Sequence, residues 1–272
     1  NSLLDMDHST SGDDGNYGIF FIDDATNVTI DNTTIHDAEA SAIYIDDIAT
    51  NITITDVTLD NLNGWGGNQM IRFNSTVDGL TMTNVNIDGD HTATADDGDT
   101  GILFNNTLSN AVLTDVTTNN QDLYGIYFAN TVDSVTINNY TIQNPEGWGN
   151  AYGMRFTSAV SNLTLNTALI DLDVSATTDD GNYGIAFDNI TTNVSLDGIT
   201  MHDAEVNGLY FGGIATDISL TNSTFDNYDG WGGNTMIRFN NVINGLNMIN
   251  VTIDSDVTDN GASTDDGEFG IY

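Results

Sequence analysis

Short runs of alternating apolar and polar residues recur along the whole chain. One run reads Gly-Ile-x-Phe or a close variant, and begins at Gly18, Ala42, Met70, Gly101, Gly125, Gly153, Gly184, Gly208, Met236 and Gly270. Between successive copies lies a second run, seen as NVTIDNTTI from Asn27, NITITDVTL from Asn51, DSVTINNYTI from Asp133 and TDISLTNSTF from Thr216. Period-two alternation predicts strands with one buried face. In Val28-Thr29-Ile30 the aliphatics point inward and the threonine outward. An Asn or Asp divides the second run at Asn32, Asp56, Asn84, Asp115, Asn139, Asn222 and Asn250. These residues predict a sharp bend, because their short polar side chains tolerate the left-handed conformation.

The spacing of the runs is itself periodic. The steps are 24, 28 and 31 residues, then 24, 28 and 31, then 24, 28 and 34. DDGNYGIFF from Asp13 returns as DDGNYGIAF from Asp179, HDAE from His36 returns at His202, and GWGGN from Gly64 returns at Gly230, each 166 residues later. Weaker copies lie halfway, at Ala95 and Gly147, so the unit is 83 residues. Three short strands per turn, stacked without helices, predict an all-β parallel β-helix solenoid. A single coil cannot bury its apolar edge, but stacked coils make continuous columns of Ile, Val, Leu and Phe. About ten coils at about 4.8 Å each give a rod of roughly 45 Å, and one unit advances about 14 Å. The expected organisation is one continuous segment, 1–272, with units near 15–97, 98–180 and 181–266. Neither end carries a polar cap in sequence: Leu4-Asp5-Met6-Asp7 aligns with Ile170-Asp171-Leu172-Asp173 inside the rod. Solenoids need caps to stay soluble, so the expectation is a window on a longer chain, or a subunit that stacks end to end.

The coil motif G-I-x-F followed by N-V-T-I-x-N-x-T-I resembles the right-handed parallel β-helix repeat proteins of the pectate-lyase-like superfamily, over essentially the whole chain. That resemblance implies a right-handed solenoid, of the repetitive, non-enzymatic surface or fibre type. It does not name a function, because enzymes, tailspikes, adhesins and fibres share the fold. Leucine-rich repeats lack this period, and no nine-residue calcium-binding repeat is present.

Composition narrows the partners. Forty acidic residues face three arginines and no lysine, for a formal charge of −37, and there is no cysteine. Such a polyanion will not bind nucleic-acid phosphate or an anionic membrane through its own charge. No stretch is apolar enough to span a bilayer, and no direct membrane insertion is expected. Thiolate metal sites and disulfides are impossible. Only Glu39, Glu146, Glu205 and Glu268 are glutamates; the other 36 acids are aspartates. That bias speaks for turn or ligand chemistry beside any adaptation to salt.

The longest coil of each unit carries D-x-D, a polar loop, then D-D-G. The sets are Asp5, Asp7, Asp13 and Asp14; Asp88, Asp90, Asp96 and Asp97; Asp171, Asp173, Asp179 and Asp180; and Asp254, Asp256, Asp265 and Asp266. Calcium takes six to eight hard oxygens, often several carboxylates with backbone carbonyls. Stacking carboxylates in register costs energy unless cations or salt neutralise them. Ca2+ is therefore the expected ligand of these loops, with Asp as a solubilising turn residue the alternative.

The three cations are equally regular. Arg72, Arg155 and Arg238 occupy one equivalent position per unit, each expected to stack on a tyrosine of the preceding coil, Tyr44, Tyr127 or Tyr210. Phe20, Tyr44, Arg72, Leu103, Tyr127 and Arg155 form an outward apolar and aromatic stripe suited to lateral association. His36 and His202 are equivalent, but Asn119 interrupts their series, so they read as solvated turn residues. Trp65, Trp148 and Trp231 lie in G-W-G loops that fold back over the coil or contact sugars. Eleven N-x-[ST] sequons follow largely from the corner Asn and outward Thr.

Catalytic sites are singular and these features are periodic, so an enzyme is not expected. The expected function is a structural repeat segment of an extracellular or cell-surface stalk, sheath or filament, self-associating end to end or laterally. The alternatives are a carbohydrate-binding adhesin shaft contacting polysaccharide through the Trp loops, and a β-helical polysaccharide lyase or hydrolase.

Overall fold

The computed structural model describes residues 2–5, 17–36, 38, 40–60, 69–89, 100–121, 123–143, 151–172, 183–202, 204, 206–226, 235–254 and 269–272. Described residues form strands and short turns only, with β1 (Ser2–Asp5), β2 (Tyr17–Phe21), β3 (Ala25–Thr26) and β4 (Thr29–His36) opening the chain. Short and long strands then alternate. They are β5 (Ser41–Ile45), β6 (Ala49–Asp60), β7 (Gln69–Phe73), β8 (Val77–Asp88), β9 (Thr100–Phe104) and β10 (Leu108–Asn119). Next come β11 (Tyr124–Phe128), β12 (Val132–Gln143), β13 (Tyr152–Phe156), β14 (Val160–Asp171), β15 (Tyr183–Phe187) and β16 (Thr191–His202). The last are β17 (Asn207–Phe211), β18 (Ala215–Asp226), β19 (Thr235–Phe239), β20 (Ile243–Asp254) and β21 (Phe269–Ile271).

Every ladder is parallel, and the strands make two stacks. Long strands pair in the order β1-β4-β6 through the even numbers to β20, with β3 beside β6; short strands pair in the order β2-β5-β7 through the odd numbers to β21. Each Gly-Ile-x-Phe signal is a strand of the second stack. The chain is thus a parallel β-solenoid. Fewer turns are complete than the ten strand signals imply: the twelve-residue strands run from β6 to β20 and span seven turns, while β1 and β4 are shorter.

Each twelve-residue strand is bent twice. Its eighth residue, and Asn32 at the equivalent register position of β4, has positive φ at all seven of the predicted bends, for example Asn32 (49°), Asp56 (52°) and Asn139 (53°). A second bend at the third residue had no separate sequence signal: Asn27, Asn51, Gly79, Asn110, Ser134, Asn162, Asn193, Asp217 and Gly245 are all left-handed. The two bends divide each twelve-residue strand into a two-residue lead-in and two longer arms, which with the short strand give a coil the three sides expected. At a bend two consecutive residues face outward, which shifts the alternation and keeps positions 1, 4, 6, 9 and 11 of the long strand inside.

Those inward positions form the core. Val57, Val85 and Val116 stack in one column, and Ile54, Met82, Leu113 and Ile137 in another. The last residue of the short strand is a ladder of rings, Phe73, Phe104, Phe128, Phe156, Phe187, Phe211 and Phe239, with neighbouring centroids 4.3–5.2 Å apart. Each such pair contributes about 0.5–1.5 kcal/mol beyond the area it buries. A polar exception sits in the middle: the fully buried Tyr140 hydroxyl meets Thr118 Oγ1 at 2.6 Å, so neither group is left unsatisfied. The Tyr140 oxygen fits because Gly125 lies beside it, where an added Cβ would come within 2.3 Å of that oxygen.

Candidate functional site

Two surfaces carry the chemistry. The first is the corner where each long strand ends and a connection leads to the next short strand. Its column, read by register, is Asp5, His36, Asp60, Asp88, Asn119, Gln143, Asp171, His202, Asp226 and Asp254. The D-x-D series and the HDAE series are therefore one column, a union hidden in the sequence because the two motifs belong to different coils. His36 Nδ1 lies 3.4 Å from Asp60 Oδ2, and His202 Nδ1 lies 3.7 Å from Asp226 Oδ2. The histidines are strand-end residues beside carboxylates, not the solvated turn residues expected. Burial holds the Asp226 carboxyl above the usual range; His202 opposes this and Asp254 reinforces it.

The calcium expectation falls partly on this column. Asp5, Asp88, Asp171 and Asp254 each end a long strand, and Asp88 accepts a hydrogen bond from Asn120 Nδ2 at 2.6 Å. Asp7, Asp13, Asp14, Asp90, Asp96, Asp97, Asp173, Asp179, Asp180, Asp256, Asp265 and Asp266 lie outside the described residues. Among the described residues no group of three or more His, Asp or Glu side chains is placed to hold a metal ion.

The second surface is the outward face of the short strands. Its column runs Phe20, Tyr44, Arg72, Leu103, Tyr127, Arg155, Ala186, Tyr210 and Arg238 in unbroken register. A second outward column holds Tyr17, Tyr124, Tyr152 and Tyr183 at the first short-strand position. Rings stack within and between the columns: Phe20 on Tyr44 at 5.0 Å, Tyr124 on Tyr127 at 4.5 Å, and Tyr152 on Tyr183 at 4.7 Å. Burial pushes the Tyr152 hydroxyl up to about 12. Burial and a 2.5 Å hydrogen bond to Asp46 do the same for Tyr44.

The arginines depart from the expected pairing in two cases of three. Arg72 lies over Tyr44 of the preceding coil at 5.0 Å, as expected. Arg155 lies over Tyr152 of its own strand at 4.6 Å, because its Nε reaches Asp188 at 2.9 Å and its Nη1 donates to Tyr124 Oη at 3.2 Å. Burial works to lower the Arg155 pKa, but the hydrogen bond and charge of Asp188 hold it raised. Arg238 lies over Tyr272 at 5.8 Å, in the following coil, and donates to Asn240 at 2.7 Å. The stripe is also less open than expected: Tyr44 is 8 % exposed and Ala186 is fully buried, while Arg72, Tyr127, Tyr210 and Arg238 are half-buried. Trp65, Trp148 and Trp231 lie outside the described residues.

Between these surfaces the bends carry side-chain ladders that sequence reasoning missed. Asn162 Nδ2 donates to Asp133 Oδ1 at 2.8 Å and Asn193 Nδ2 to Asn162 Oδ1 at 2.7 Å. At the other bend Asn84 donates to Asp56 at 2.6 Å and Asn250 to Asn222 at 2.9 Å. Such bonds hold Asp78, Asp133 and Asp197 below the ordinary carboxylate range, through Asn110 and Ser109, Ser161 and Asn162, and Thr221 and Asn222 respectively. Their signal was present as alternation of Asp with Asn, Ser or Thr at equivalent positions of successive coils.

No family model matches the chain, and no curated protein matches it. Among solved structures it is similar to PfbA, a surface adhesin of Streptococcus pneumoniae, at 11 % identity and TM-score 0.39, covering 84 % of this chain and 70 % of that one. It is also similar to the catalytic domain of Agl-KA, at 12 % identity and TM-score 0.39, covering 88 % and 55 %. A Geobacillus virus E2 protein, ORF18, follows at 10 % identity and TM-score 0.34, covering 84 % and 50 %. The fold stands on the chain's own ladders; likeness at this level carries no further argument.

Proposed function

We propose that this chain is a structural repeat segment of an extracellular or cell-surface stalk, sheath or filament. The observation that carries the reading is the register, which runs unbroken from β2 to β21 and sets the same kinds of residue in the same columns coil after coil. Parallel coils with a shared core resist bending, because any kink must open aliphatic and aromatic contacts in several columns together. Axial length is what such a molecule supplies. Its acidic faces keep rods apart in solution, and divalent cations at the strand-end carboxylates would complete the coils there.

Electron microscopy of the native material tests this reading. Rods or fibres bearing the coil repeat along their length are expected. Isolated globular particles that cleave acidic polysaccharide would overturn the reading in favour of an enzyme.

A further inference from the structure

We propose that the short-strand face pairs with the same face of a second copy, antiparallel, about a two-fold axis between the Tyr127 and Arg155 rungs. The proposal rests on the filament reading and adds its lateral contact. Along the outward column Tyr and Arg recur every third rung, with Arg always one rung after Tyr. Reversing that order about the midpoint sets Tyr127 against Arg155 and Arg72 against Tyr210, each twice by symmetry, and brings Phe20 opposite Tyr272. A parallel two-fold pairing would instead oppose each arginine with itself. An isologous interface requires a self-complementary patch, and the antiparallel register is the one that supplies it here.

Three physical arguments favour a second copy over another occupant. All three arginines of a chain with net charge −37 lie on this face, so it is where two like-charged rods repel each other least. Of the three arginines, Arg155 pairs with Asp188, whereas Arg72 donates to Gln69 and Asn74, and Arg238 to Asn240. The guanidiniums of Arg72 and Arg238 thus have neutral partners, each already lying over one ring, Tyr44 or Tyr272, and an incoming ring would take the opposite face. A second copy also has the same three-rung period by construction, so every Tyr–Arg contact forms at once, which a polymer of different repeat cannot match. The area suffices: ten rungs at about 4.8 Å and five residues at about 3.3 Å enclose roughly 700 Å2 per copy. The total, about 1,400 Å2, lies within the range of specific interfaces.

The chain has no cysteine, so thiols can be placed without background. Arg72 and Tyr210 stand five rungs apart, about 24 Å, too far for an internal disulfide. The double variant Arg72→Cys/Tyr210→Cys should therefore give a covalent dimer under mild oxidation, while Arg72→Cys and Tyr210→Cys alone should not. Sedimentation of the unaltered chain should show a dimer that strengthens at least tenfold as added salt screens the repulsion between rods. Cross-linking by either single variant would overturn the register in favour of a parallel one. A monomer at every salt and protein concentration would overturn the pairing, yet leave the filament reading standing if the native material is still rod-like.

Discussion

Asn162 offers the cleanest test of how an acidic solenoid keeps its corners. Its φ is 53°, its Nδ2 donates to Asp133 one coil below, and its Oδ1 accepts from Asn193 one coil above. Asn162→Ala removes both bonds and places a Cβ residue in the left-handed region. The two exposed hydrogen bonds contribute about 0.5–1 kcal/mol each. The conformational strain adds roughly 1 kcal/mol, since Asn escapes part of the 1–2 kcal/mol that left-handed geometry costs other residues. The expected loss is therefore about 2–3 kcal/mol. Asn162→Gly loses the same bonds without the strain and adds the entropy of a more flexible unfolded chain, about 0.5–1 kcal/mol. Glycine should accordingly cost as much as alanine or up to about 0.5 kcal/mol less.

The pH dependence follows from Asp133, whose pKa is lowered by Ser161 first and Asn162 second. A depressed carboxylate contributes stability that is present above its unfolded pKa, about 3.9, and lost as pH falls through the folded value. Asn162→Gly should therefore narrow the difference in melting temperature between pH 7 and pH 3. Solenoids unfold in patches, so hydrogen exchange at the β12–β14 and β14–β16 ladders should accompany the thermal melts. Glycine clearly more disruptive than alanine would refute the role assigned to φ. Unchanged exchange in both variants would refute the ladder.

Two further substitutions probe the core and the loop-bearing corner. Gly125→Ala should destabilise by at least about 2 kcal/mol, since its Cβ would meet both the Tyr140 hydroxyl at 2.3 Å and the Gly153 carbonyl at 2.6 Å; an unchanged urea midpoint would show that the coil can open locally. Asp226→Asn should raise the melting temperature at pH 7 and have little effect near pH 3. The Asp226 pKa is raised, so its ionised form burdens the folded state above that pKa and the burden lifts on acidification; a drop in melting temperature at pH 7 would show instead that the contact with His202 dominates.

Much of the fold was legible because burial and backbone geometry repeat with the coil. The Gly-Ile-x-Phe signals marked the short strands, since Ile and Phe at positions two apart share one face. The eighth-residue bends were legible because Asn or Asp fills most of them. The third-residue bends were not, because Ser134, Gly79 and Gly245 break the residue pattern while keeping the positive φ. The arginine contacts escaped for a different reason. Register fixed which rung each occupies, but Asp188 drew Arg155 away from Tyr127, and the choice among neighbouring rings depends on such local partners. The union of Asp60 and Asp226 with the D-x-D aspartates needed the register itself.

That union locates the charge problem. At strand-paired positions, most acidic residues meet neutral or donating neighbours: Asp78 lies between Thr50 and Ser109, Asp133 between Ser109 and Ser161, and Asp197 between Asn166 and Thr221. Asp60 against Asp88 and Asp226 against Asp254 are the strand-paired exceptions among the described residues, and each doublet is bordered by a histidine. Interleaving keeps the carboxylates at the bends apart and hydrogen-bonded without cations; the doublets lack that remedy. If Ca2+ stabilises this solenoid, its effect should therefore vanish in Asp60→Asn/Asp226→Asn, where only one carboxylate of each doublet remains. Melting with chelator and then with calcium at fixed ionic strength measures this. A calcium shift that survives in the double variant would place the cation elsewhere, and no shift in the parent chain would remove calcium altogether. Salt would then be the remaining agent, acting on all forty carboxylates alike rather than on four.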